Sequence, residues 1–183
     1  MKLLAFLMLL VFASTSTADD VIVGAFGQTL GAVVDPNIHS PLGENWRGAL
    51  RYGFDPDKPY HVFKSYYITA TPVTKRIHRI TAKGEISTQS SCGIELYVLR
   101  KVLEEKYPDA RKYKKDDVAT FTTNDPDSRT THIELSCSYY INAERTDDKN
   151  NAHQAFLTMY YMDMDLHNIV LDERASQVDK SNF

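Results

Sequence analysis

The residues of this chain that could do chemistry are few and scattered. Its two cysteines, Cys92 and Cys137, stand 45 residues apart. A redox pair is more often C-x-x-C, a turn that lowers the thiol pKa. A structural zinc site needs about four ligands at tight spacing, and none are gathered near either thiol. The six histidines are dispersed, with His61, His78 and His132 at or near strand-like stretches. "DMDLH" sets Asp163, Asp165 and His167 two apart, a spacing able to collect oxygen and nitrogen ligands around a cation. The same residues also suit the end of a strand and the acidic start of a helix. "NDPDS" at 124–128 lacks the later bidentate glutamate of a calcium loop.

The nucleophile elbow G-x-S-x-G, the zinc-protease motif H-E-x-x-H and a phosphate-cradling loop are all missing. "FGQTLG" has two glycines but no basic residue to hold phosphate, and reads as a turn. No spacing singles out two carboxylates for acid–base work. The expectation is no catalytic residue, no metal and no cofactor. An enzyme would need a site assembled from distant parts of the chain.

Tyrosine is the residue type that stands out. Three Tyr-Tyr doublets, at 66/67, 139/140 and 160/161, each fall in a strand-like stretch. A strand sends neighbours to opposite faces, so each doublet places one ring inward and one outward. With Ile68, Tyr139 and Leu157 inward, Tyr67, Tyr140 and Tyr160 share the outer face with Thr69, Ser138 and Thr158. Such an amphipathic face suits contact with another protein. It suits equally a face covered by other parts of the chain, or cross-strand ring pairs.

The elements that must position these residues can be read from periodicity. "HVFKSYYITATPVTKRIHRITAKGEI" reads as two strands about a turn at Pro72–Lys75, with a bulge near His78 or Arg79, or a late start to the second strand, where alternation breaks. "SSCGIELYVLRKVLEEKYP" reads as a helix capped by Ser90 or Ser91 and stopped at Pro108. Its expected apolar side carries Ile94, Leu96, Val98, Leu99, Val102, Leu103 and Tyr107, with Cys92 on the same side.

After a polar connection comes the clearest strand, "HIELSCSYYI", with Ile133, Leu135, Cys137, Tyr139 and Ile141 on one face. "AFLTMYYMD" is a fourth strand, and a helix follows from Asp165. The basic cluster Arg111, Lys112, Lys114 and Lys115, flanked by Asp109, Asp116 and Asp117, reads as a solvated turn. Residues 35–60 hold four of the seven prolines and the single tryptophan, Trp46, and are expected to be largely irregular.

The architecture that follows is α+β: an antiparallel four-stranded sheet with a central amphipathic helix and a C-terminal helix packed on it. Cys92 lies on the helix's buried stripe and Cys137 on the buried side of the best strand, surfaces that must meet in one core. A Cys92–Cys137 disulfide is therefore expected.

The chain begins "MKLLAFLMLLVFASTSTADD": a lysine, an apolar run of 11 and small residues before Ala18. That is the pattern of a secretory signal over 1–18, leaving one domain over 19–183. The run is short of the roughly 20 residues that span a bilayer. Export to the periplasm or beyond places the cysteines in oxidising surroundings. The formal net charge of −3 falls by one more when Lys2 leaves. An acidic chain is a poor match for nucleic acid or anionic lipid.

"FGQTLG", "YGFDPDKPYHVFKSYYITATPVTKRIHRITAKG", the Cys-led helix ending "LEEKY" and "YYMDMDL…VDKS" resemble a group of small exported bacterial proteins with no named activity. The resemblance implies export and transfers no catalytic residue. At fold level alone the chain is similar to helix-on-sheet modules of envelope assembly factors and proteinaceous inhibitors. The functional expectation is a non-enzymatic, exported domain that binds another protein through its tyrosine face and the Trp46 loop. A hydrolase or metal-dependent enzyme with a dispersed site, or a small-ligand carrier, is the alternative.

Overall fold

The computed structural model describes residues 22–45, 48–124, 129–141 and 153–177. The expected signal segment and Trp46 lie outside these residues, as does the 125–128 stretch of "NDPDS".

The fold is α+β, but its sheet has eight strands where the patterning suggests four. The strands are β3 (Ser40–Glu44), β4 (Leu50–Gly53), β5 (Ser65–Ala70), β6 (Ile77–Ile86), β7 (Arg111–Lys115), β8 (Val118–Asn124), β9 (Thr130–Ile141) and β10 (His153–Asp163). A separate small hairpin pairs β1 (Gly24–Ala25) with β2 (Gln28–Thr29). The order is β3-β4-β5-β6-β10-β9-β8-β7, antiparallel throughout. Two four-strand meanders thus meet at β6 and β10. Helix α1 (Gln89–Lys106) links them, and α2 (Met164–Gln177) follows the second.

The four unforeseen strands are the outer ones. β3 and β4 lie within 35–60 and are two short strands set between irregular stretches; Pro41 and Gly43 flank a register shift in β3, the outermost strand. Proline is tolerated there because an edge strand leaves one side of its backbone unpaired. β7 is the basic cluster, a strand and not a turn, and all five of its residues are exposed. Without a buried face a strand shows no alternation, and lysines on an edge block further pairing. β7 and β8 replace much of the expected polar connection.

Helix α1 is capped by Thr88, whose side chain accepts from the Ser91 N–H, and not by Ser90 or Ser91, which lie two and three residues further on, inside the helix. Its buried seam is Cys92, Leu96, Leu99 and Leu103, at alternating four- and three-residue steps. Each buried leucine contributes about 1.5–3 kcal/mol. Ile94, Val98 and Val102 do not join it: Ile94 is 61% exposed and Val102 53%. At about 100° per residue Ile94 lies roughly 200° from Cys92, the far side of the cylinder. The broad stripe was two faces, and only the narrow one meets the sheet.

Beneath that seam Leu135, Cys137, Leu157, Met159 and Tyr161 are buried with Ile68, Ile80 and Ala82 in one core cluster. The Cys92–Cys137 disulfide ties the first turn of α1 to β9, with the Cα atoms 6.1 Å apart. The N-terminal hairpin seals the same core. Its two-residue turn, Phe26-Gly27, has φ of 54° and 80°, the left-handed pair that matches strand twist. Phe26 sits there at a steric cost, but its ring packs edge-on to Phe63, Tyr66 and Tyr161.

Gly84, opposite Leu157 on β6, marks where the 54–64 loop crosses the sheet: a Cβ there would overlap the carbonyl oxygen of Val62. A Gly84→Ala variant is expected to lose ~2 kcal/mol or more of stability, because backbone rather than a flexible side chain must move. An unchanged denaturant midpoint for that variant would show the loop is not held against β6.

α2 crosses the end of the sheet where β10 finishes. Glu173 accepts hydrogen bonds from Val73 N–H (2.8 Å), Thr74 N–H (3.2 Å) and the Thr74 hydroxyl (2.6 Å), holding the β5–β6 turn. Arg174 lies under the left-handed Gly48. Among the described residues no helix is long and apolar enough to cross a membrane.

Candidate interaction face

The outward side of the sheet carries the tyrosines singled out above. Along β10, Leu157, Met159 and Tyr161 are buried, whereas Phe156, Thr158 and Tyr160 are half-buried. Along β9, Leu135 and Cys137 are buried, and Glu134, Ser136 and Ser138 are half-buried. That alternation is the mark of a sheet covered on one side and open on the other.

Register sets the neighbours on the open side. Tyr67 pairs with Thr81, Thr81 with Tyr160, and Tyr160 with Glu134, one continuous row over four strands. The adjacent row runs Arg51, Thr69, Arg79, Met162, His132. Tyr67 and Tyr160 therefore share a face and lie two strands apart, roughly 10 Å. Tyr140 sits on the same face by register, opposite Gln154 in β10; its side chain lies outside what the structure describes. Trp46 lies outside the described residues.

Sequence reasoning missed the cations. Arg51 lies over the Tyr67 ring at 4.5 Å, Arg79 over Tyr160 at 4.4 Å, and Lys83 over Phe156 at 4.3 Å. Each contact joins the negative face of a ring to a positive group. Their signal was present but needed the register: Arg51 and Tyr67 are on different strands, diagonal to one another. The Tyr160 hydroxyl donates to Glu134 at 2.7 Å, and the His132 ring lies 6.1 Å from the same tyrosine. Burial raises the Tyr160 pKa, and the hydrogen bond to Glu134 raises it further. Burial lowers that of His132 despite the nearby Glu134. Both stay neutral at pH 7, so the arginines dominate the local field.

A second feature is a cleft of about 330 Å³ between the N-terminal hairpin and the start of α2, lined by Leu30, Gly31, Arg76, Arg129, Asp163 and Asp165. Its charged groups are largely engaged in structure. Asp163 accepts the Leu166 N–H at 2.9 Å as the cap of α2, Asp165 accepts the Thr130 N–H at 3.1 Å, and Arg76 donates to Gly31 O at 3.1 Å. His167, the third member of "DMDLH", stacks instead on His78 at 5.4 Å. Among the described residues no three His, Cys, Asp or Glu side chains gather as metal ligands.

The chain matches no protein-family model, no curated protein and no solved structure. The reading of its function rests on the geometry.

Proposed function

We propose that this protein is an exported, non-enzymatic binding domain that docks another protein on the open side of its sheet. An inhibitor, immunity factor or envelope accessory would work this way. The observation that carries the reading is the amphipathic row Tyr67–Thr81–Tyr160–Glu134 on a disulfide-pinned sheet, with Tyr67, Tyr160 and Glu134 half-buried about the buried Thr81. Tyrosines fixed on strands lose little side-chain freedom on docking, and rings of this kind dominate many interfaces. Secretion through a signal peptide cut after Ala18, and kinship with the group of small exported proteins, belong to the same proposal. An N-terminal residue other than Asp19 on the mature protein would count against that cleavage.

Replacing Tyr67, Tyr140 and Tyr160 by Ser is expected to weaken capture of the partner from envelope extract at least tenfold, ~1.4 kcal/mol. The stability of the free domain should change less, since Tyr67 and Tyr160 are only half-buried. The same captured proteins at the same yield, from an equally stable variant, would sink the proposal.

The charged cleft favours a second reading, a hydrolase or carrier for a small polar ligand held between Arg76, Arg129 and the two aspartates. Saturable protection of the Asp163 and Leu166 amides by a small anion would favour it over the docking face.

A further inference from the structure

The open face is short of acceptors. Among the described residues the ion pairs are His61–Glu95, Arg100–Glu104 and Lys101–Glu104, and none involves Arg51, Arg79 or Lys83. The one hydrogen bond of the Arg79 guanidinium is to the Met162 sulfur at 3.5 Å, a weak acceptor. Among the described residues the buried Nε atoms of Arg51 and Arg79 have no partner, nor has the Thr81 hydroxyl, which is 2% exposed between Tyr67 and Tyr160. Three donors without acceptors in one patch are unusual in a folded protein.

Charge points the same way. By register this face also carries Arg111 and Lys115 of β7, opposite Thr122 and Val118. Against these five cations the described strands set, by register, Glu134, already accepting from Tyr160, and Glu85 at the margin. A chain of formal charge −3 thus gathers an excess of positive charge on the one side of its sheet that the core leaves open.

We infer that the partner offers an extended acidic segment, whose carboxylates are received by Arg51, Arg79 and Lys83. The inference rests on the reading of this face as a docking surface and names the chemistry of what docks. A guanidinium on a ring keeps its N–H edge free for a carboxylate, and the ring limits its rotation. Arg51 and Arg79 are two strands apart, about 10 Å, which is the reach of roughly three extended residues. In the polyproline-II form of an extended chain, which rises ~3.1 Å per residue, acids three apart share one side and would therefore address both. Nucleic acid and sulfated sugar fit less well, because stacking a base or a sugar needs a free ring face and these faces already hold a cation.

The test uses the mature protein and a labelled peptide with Glu at every third position, read by fluorescence anisotropy. Its Gln counterpart, a single-stranded oligonucleotide and a heparin fragment are run in parallel. The Glu peptide is expected to bind at low salt and to weaken about tenfold or more near ~0.15 M. Arg51→Gln with Arg79→Gln should cost a similar factor, and Arg51→Lys with Arg79→Lys should recover part of it. Lys83→Gln, near the margin, gives the same comparison should the arginine pair be needed for folding.

The inference is overturned if Glu and Gln peptides bind alike, if the Gln variants match the wild type, or if only the oligonucleotide or heparin binds. A captured partner lost with the tyrosine variants but kept by the double Gln variant would leave the docking face standing. It would overturn the acidic partner alone.

Discussion

Reducing the Cys92–Cys137 bond is expected to lower the stability of the domain by ~4 kcal/mol. The two residues are 45 apart, and opening a closed loop of that size releases the unfolded chain by about this amount in the chain-entropy model. The folded state changes less, since Cys92 is fully buried and Cys137 nearly so, and two thiols fill almost the space of the disulfide. The loss should be local as well as global. α1 touches the sheet through a seam of four side chains, and the bond holds its first turn. Amide exchange in α1 should therefore accelerate on reduction before that of β6 or β10. Equal denaturant midpoints for the oxidised and reduced protein would contradict this. Two free thiols in the matured molecule would remove the premise altogether.

The second large effect is acid sensitivity at His78. It is 2% exposed at the second residue of strand β6, and among the described residues neither ring nitrogen has a hydrogen-bond partner. Burial, then the facing His167 and the neighbouring Arg79, push its pKa from the ordinary 6.5 to about 3. The unfolded chain takes up this proton first, so stability falls as pH drops below 6.5 and stops falling from this source below about 3. Linkage makes the loss ~3 kcal/mol by pH 4.

Glu173, whose pKa is lowered by its bonds to the β5–β6 turn although burial opposes them, adds loss below the ordinary carboxylate range. The diagnostic quantity is therefore the difference between wild type and His78→Phe, which keeps a ring and removes the proton site. The variant should be flatter between pH 6.5 and 4. Parallel curves for the two proteins would show that His78 does not titrate in this window.

How much of this was legible follows from which residues are buried on one side only. β9 alternates cleanly, because its neighbours β8 and β10 hold it flat with one side on the core. The bulge expected near His78 is present: Thr69 pairs with Arg79 but Ala70 with Ile77, leaving His78 as the extra residue. Tyr67 and Tyr160 could be assigned to one face because that assignment needs only the period of two. Their cations could not, since Arg51 meets Tyr67 across two strands.

Local patterning thus determined the two helices and the four strands with one buried face, since each depends on residues that are neighbours along the chain; the disulfide followed because that patterning set each cysteine on a buried face. The outer strands β3, β4, β7 and β8, the order that sets β10 between β6 and β9, and the pairing of each cation with its ring were decided by the tertiary structure alone. The edge strands β3 and β7 are exposed along their whole length and carry no alternation. β8 lies between β7 and β9 and does alternate, but its buried Ala119, Phe121 and Thr123 are barely more apolar than Val118, Thr120 and Thr122 on the other side. Strand order follows from which apolar faces find each other across the chain. Contacts of that kind are written in no single segment.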